Sequence, residues 1–120
     1  MIIKGESLKR AILAALADTE LQQILDAAMY QSKSANQIML ETNISHTTAY
    51  RKIRLLVEEK VLIIDKIEIT EDGKKSSLFR TILKLFNVKY EYNNVVIEAE
   101  QNVDTLKTVT ERFFSLDESH

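Results

Sequence analysis

The chain of 120 residues contains no cysteine, no proline and no tryptophan, and only two glycines and two histidines. Without cysteine there is no disulfide framework, no thiolate metal site and no cysteine nucleophile. The imidazoles are His46 and the terminal His120, so a metal site would need carboxylates plus at most these two, and nothing has ligand spacing. Gly73, set apart from the only other glycine, Gly5, cannot form a phosphate-cradling loop. No apolar run approaches the roughly 18 residues of a membrane span. The short stretch from Ala11 to Ala17 is interrupted at helical spacing, which favours a core helix over a signal peptide. The expectation is a cytoplasmic protein with no membrane contact, no metal and no cofactor.

What is present fits one domain or one domain plus an appendage: 45% hydrophobic and 28% charged residues. Charge is unevenly spread. Residues 1–90 carry 14 Lys/Arg against 11 Asp/Glu, a balance of +3, and residues 91–120 carry 2 against 7, a balance of −5, giving the chain's −2. A mildly basic body with an acidic tail is compatible with one DNA-binding face.

Periodicity predicts a helix over 7–17, with Leu8, Ala11, Ile12, Ala15 and Leu16 on one stripe. A second helix is expected from Thr19, with Gln22 at capping-box spacing and Leu21, Ile24, Leu25, Ala28 and Met29 inward. Ser32-Lys33-Ser34 breaks it. Ser34 and Gln37 form a capping box for a short third helix, SANQIMLET, that buries Ile38 and Met39. Asn43 follows where that helix must stop; asparagine tolerates the left-handed conformation better than any residue but glycine. Ile44 should plug the corner into the core. Ser45 can cap a fourth helix whose buried face is Ala49, Ile53, Leu56 and Val57. Helices joined so tightly must cross steeply, the helix-turn-helix arrangement.

The period then changes. Residues 62–70 read as a strand, 71–75 as a polar turn, and SSLFRTILKLF (76–86) as one return strand, making a wing. Val88–Tyr92 and Val95–Ala99 alternate around Asn93-Asn94, an extra hairpin. Asn102 can cap a last helix with Val103, Leu106, Val109, Thr110, Phe113 and Leu116 on its stripe. The expected class is therefore α+β, mainly helical: a winged helix-turn-helix with an extra C-terminal hairpin and a terminal dimerisation helix. Residues 1–86 would form the DNA-binding domain, and 87–120 the hairpin and helix.

From Leu16 to about Leu85 the chain resembles the ArsR-type winged-helix transcription regulators. LADTELQQIL is similar to the family's second-helix opening, and SHTTAYRKIRLLVEEKVLI to its recognition helix running into the first wing strand. It is also similar to archaeal members of this superfamily. The resemblance implies the fold and binding to double-stranded DNA. Family metal sensors carry Cys or His on the third helix or near the termini, and SANQIMLET has neither, so no effector is implied. The family commonly dimerises through terminal helices, which points to the first helix and to the Val103–Leu116 helix. The hairpin at 88–99 is not part of the common pattern.

His46, Thr47, Thr48, Tyr50, Arg51 and Arg54 lie in the first turns of the fourth helix, off its apolar stripe. Arg51 and Arg54 suit guanine edges or phosphates, and Tyr50 and the threonines suit base edges and thymine methyls. The bland alternative is a solvated helix face. Ser45 and the first amides offer a phosphate site. Lys74 and Lys75 at the wing tip (70–77) can reach flanking backbone or simply keep a turn soluble. Lys52, Lys33 and Arg80 are weaker phosphate candidates, better read as solvated. His46 is either a pH-sensitive contact or a plain first-turn residue. Val103, Leu106, Val109, Phe113 and Phe114 either pair with a second subunit, making a homodimer, or pack on their own domain. Glu58-Glu59 and Glu71-Asp72 are paired carboxylates with no nucleophile beside them, so no enzyme is expected. The expected function is sequence-specific DNA binding by residues 46–59 in the major groove; the alternative is a winged-helix protein-interaction module.

Overall fold

A computed structural model describes residues 1–102. The expected last helix, with Val103, Leu106, Val109, Phe113 and Phe114, lies outside the described residues. Four helices and two antiparallel sheets make an α+β fold: α1 (Glu6–Leu16), α2 (Thr19–Ala27), β1 (Lys33–Ser34), α3 (Ala35–Thr42), α4 (His46–Glu58), β2 (Leu62–Ile69), β3 (Lys75–Thr81), β4 (Leu83–Glu91) and β5 (Asn94–Gln101). Helix and strand are nearly balanced among these residues, so the expectation of a mainly helical chain is corrected.

The imbalance came from the long apolar run after Gly73. It is not one return strand but two strands in different sheets. Thr81 donates its amide to Ala28 O at 3.1 Å and Ile82 to Val61 O at 2.9 Å, so the chain leaves the first sheet there. β4 then starts at Leu83, inside the segment read as wing, and the expected boundary at 86/87 falls within it. Sheet one has the order β1-β3-β2, and sheet two is the β4–β5 hairpin. Its turn is Tyr92-Asn93, one residue earlier than expected. Glu91 pairs with Asn94, and both turn residues have positive φ, 50° and 60°, the two-residue geometry that matches strand twist.

Local signals explain most helix ends. Ser34 and Gln37 make both arms of the capping box, at 2.8 and 3.1 Å. Asn43 ends α3 in the left-handed region (φ 59°, ψ 25°), its amide bonded to Met39 O. α2 departs from expectation. Asp18 is its N-cap, accepting from the Glu20 and Leu21 amides, and the Gln22 side chain reaches back to the Ala15 and Leu16 carbonyls at the end of α1. Leu16 is 49% exposed, off the buried stripe, because α1 ends there. Ser45 is the N-cap position of α4, but its hydroxyl makes no capping bond.

Two clusters of buried side chains share α1. The larger gathers Ala15, Leu21, Ile24, Ala28, Ile38, Ile44, Ala49, Ile53, Leu56 and Leu62 between the helices and the first sheet, and Met39 and Val57 pack half-buried against it. The second joins Ile12 to Leu83, Ile97 and Ala99, with Leu8 touching both clusters. Residues 1–3, for which no element was expected, run along β5: Ile3 donates to Ile97 O, Ala99 donates to Met1 O, and Ile3 is buried. Asn102 is also buried, donating from Nδ2 to Met29 O at 2.9 Å, so the second sheet is tied to the end of α2.

α4 ends in a Schellman motif, with Val61 N–H bonded to Leu56 O and Lys60 N–H to Val57 O. Lys60 therefore sits at φ 63°, a conformation that costs an L side chain about 1–2 kcal/mol. Lys60→Gly removes that cost, less glycine's larger entropy loss, for a net gain of about 0.5–1 kcal/mol. Thermal denaturation should show Lys60→Gly melting a few degrees above wild type, and Lys60→Ala no higher than wild type.

Candidate nucleic-acid interface

α4 has two unlike sides. Ala49, Ile53 and Leu56 are buried at helical spacing, which fixes the helix against the core. His46, Thr47, Tyr50, Arg51 and Arg54 are exposed on the other side, and Thr48 is half-buried. The His46 and Tyr50 rings, one turn apart, lie 4.5 Å between centroids at a 33° tilt. Arg51 and Arg54 have no ion pair among the described residues. The first turn of α4 holds no acidic residue, so its unpaired amides face solvent without a competing carboxylate. Ser45, exposed and free of a capping bond, stands beside them. The far end carries Glu58 and Glu59, and Glu59 accepts a hydrogen bond from the Ser7 hydroxyl. Cationic side chains are thus grouped in the middle of the helix, at Arg51, Lys52 and Arg54.

Lys52, on the flank between these sides, is not solvated. Its ammonium lies 2.6 Å from Asp18 Oδ2 and 2.9 Å from Glu20 Oε1. Asp18 spends its other oxygen on the α2 cap, so one carboxylate ties the start of α2 to the middle of α4. The Lys52 bond holds the Asp18 carboxyl below its ordinary value, and the two carboxylates hold the Lys52 ammonium above its own. The sequence signal for this contact was present but weak: aspartate caps as well as threonine does, and an Asp18 cap leaves one oxygen for a lysine. Lys33 pairs with Glu41 at 2.7 Å, and Arg80 Nε donates to Met29 O at 3.4 Å. Of the three weaker phosphate candidates, Lys33 and Lys52 are committed to carboxylates.

The hairpin tip closes through Thr70 N–H to Lys74 O and Gly73 N–H to Thr70 O, with Gly73 at φ 80°. Lys74 is 82% exposed with Asp72 at 3.9 Å, a loose pair that partly offsets its charge. Thr70 and the Lys74 amide hold the Asp72 carboxyl below its ordinary value. Lys75 is exposed and unpaired among the described residues.

A cavity of about 220 Å³ lies between α2 and β4, lined by Leu25, Met29, Val61, Leu83 and Phe86 with Gln22, Asp26 and Lys84. It is smaller than the ~300–1,000 Å³ of most ligand pockets. Among the described residues no group of three His, Cys, Asp or Glu side chains is placed to hold a metal ion, and no helix is long and apolar enough to cross a membrane. No family model, no curated protein and no solved structure matches the chain.

The Lys52 clamp has a pH signature. A carboxyl held low by folding contributes stability above its unfolded value, 3.8, and loses it as pH falls through the lower folded value. A lysine held high contributes below its unfolded value, 10.5, and loses it as pH rises through the higher folded one. Lys52→Met should therefore melt below wild type near neutrality. The gap between the two melting midpoints should close in strong acid and again in strong base.

Proposed function

We propose that this chain is a winged-helix protein that binds double-stranded DNA through α4 and regulates transcription. α3, the corner Asn43-Ile44-Ser45 and α4 form the helix-turn-helix, and β2–β3 forms the wing. The observation that carries the reading is the exposed Thr47, Tyr50, Arg51 and Arg54 surface. Its arginines make no ion pair among the described residues, while the neighbouring Lys52 is fully engaged. A solvated face is served by any charged residue; an unpaired Arg/Tyr/Thr face suits base edges and phosphates.

In this reading α4 enters the major groove with residues 46–54 toward the bases. Arg51 and Arg54 meet guanine or phosphate, Tyr50, Thr47 and Thr48 meet base edges, and Ser45 with the first amides holds a phosphate. His46 stacks on Tyr50 and limits its rotamers. Lys74 and Lys75 at 70–77 touch flanking backbone. The chain performs no covalent chemistry and works in the cytoplasm.

A second reading, a protein-interaction module, is favoured by one observation: Ile67 and Ile69 on β2 are 62% and 71% exposed, which a purely polar partner does not require.

Fluorescence anisotropy with a labelled random duplex at two salt concentrations separates the readings. DNA binding predicts affinity that falls steeply with salt. Arg51→Ala/Arg54→Ala should weaken binding at least tenfold and lower the logarithmic salt slope by about 1 for each of the two that contacts a phosphate. Absence of binding at micromolar protein and low salt would contradict the proposal and favour the interaction module.

A further inference from the structure

β2 forms one outer edge of its sheet, and one face of it is apolar for a specific reason. Pairing with β3 shifts register between Ile64 and Lys66, so Asp65 is a bulge. Without the bulge, Ile67 and Ile69 would point away from the face of Leu62 and Ile64. With it, Ile67 opposes Ser77 and Ile69 opposes Lys75, on the side where Leu62 and Ile64 oppose Thr81 and Phe79. The core-side face of the sheet thus continues past the helical body as exposed isoleucine.

The edge itself is open. Thr70 N–H points to β3, where it bonds Lys74 O. By antiparallel alternation the backbone N–H and C=O of Ile67 and Ile69 point the other way, outward. Such an edge is a template for another strand unless its side chains forbid it. Here Lys66 and Glu68 flank Ile67 symmetrically, both exposed and neither in an ion pair among the described residues.

We propose that two copies of this chain associate through antiparallel pairing of β2 with β2, on a two-fold axis at Ile67. In that register Ile67 opposes its own copy and the two exchange a pair of backbone hydrogen bonds. On one face Lys66 of each chain stands opposite Glu68 of the other, twice over; on the other face Ile67 meets Ile67 of the second copy, while Ile69 falls opposite the Asp65 bulge. Opposite charges directly across a ladder stabilise it, and like charges oppose it, so this edge selects itself over an arbitrary strand. A two-fold perpendicular to a sheet keeps both helical bodies on the same side. Five residues separate Ile67 from Leu62, where β2 leaves α4, so at about 3.3 Å per residue the two strand bases stand about 33 Å apart. One turn of B-DNA spans about 34–36 Å. The pairing itself does not depend on DNA binding.

Sedimentation equilibrium of the full chain at micromolar concentration, without DNA, tests this. Wild type should show twice the 13.8 kDa chain mass. Lys66→Glu alone and Glu68→Lys alone place like charges opposite each other, and each should fall to the single-chain mass. Mixed in equal amounts they are complementary at both positions, and the mixture should return to the two-chain mass. Three results would each overturn the proposal: a wild type of single-chain mass, single variants that keep the two-chain mass, and a mixture that stays dissociated. The second would place self-association elsewhere, for example in residues 103–114. Both positions are exposed, and unchanged circular dichroism and melting establish that the variants are folded.

Discussion

The direction in which α4 leaves α3 sets which side chains that helix exposes, and two residues fix it. Asn43 takes the left-handed conformation that stops α3, and Ile44, 7% exposed, is drawn into the core immediately after. A residue with a β-carbon tolerates that backbone poorly unless it is Asn or Asp, and an apolar side chain buried at the next position leaves the corner little freedom. The apolar stripe Ala49-Ile53-Leu56 then sets the rotation of α4 about its axis. Lys52 fixes its position along α2 through Asp18 and Glu20. A helix held at its start, along its inner stripe and at its flank presents a defined outer surface. Preorganisation of that kind is what a groove-reading helix requires.

The second sheet is part of the same packing. α1 contributes Ile12 to one cluster and Ala15 to the other, so the β4–β5 hairpin and the helical body hold α1 between them. A two-stranded hairpin has marginal stability alone. Here residues 1–3 run beside β5, and buried Asn102 joins the hairpin's end to Met29 and Thr81. The termini of the described chain thus close the structure.

Short-range signals in the sequence were reliable where one residue type does one physical job. The Ser34–Gln37 capping box, the Asn43 corner, Ile44, and the Ala49, Ile53 and Leu56 positions of the α4 stripe stand in the structure as read, while Val57 is only half-buried. The failures have a common cause: local chemistry that admits two solutions. Asp18 and Thr19 both cap helices, and the choice falls to Asp18 because Lys52, far along the chain, favours a carboxylate there. SSLFRTILKLF alternates well enough for one strand, and only the hydrogen bonds from Thr81 to Ala28 and from Ile82 to Val61 break it. Asn93-Asn94 is the better turn pair by composition. Tyr92-Asn93 is used instead, in the register that sets Val88 opposite Ile97 and Phe86 opposite Ala99 in the cluster shared with α1. The exposed Thr47–Arg54 surface was legible from helical spacing alone. The engagement of Lys52 and the β2 bulge were not, since both depend on tertiary neighbours.

The outer surface of α4 is the surface proposed to meet DNA. Amide chemical-shift mapping of the labelled protein titrated with duplex DNA addresses this residue by residue. Perturbations concentrated at 45–54 and at the 70–75 tip, with little change on β4 and β5, are the predicted result. Perturbations that leave 45–54 untouched, or none at saturating duplex, would contradict it.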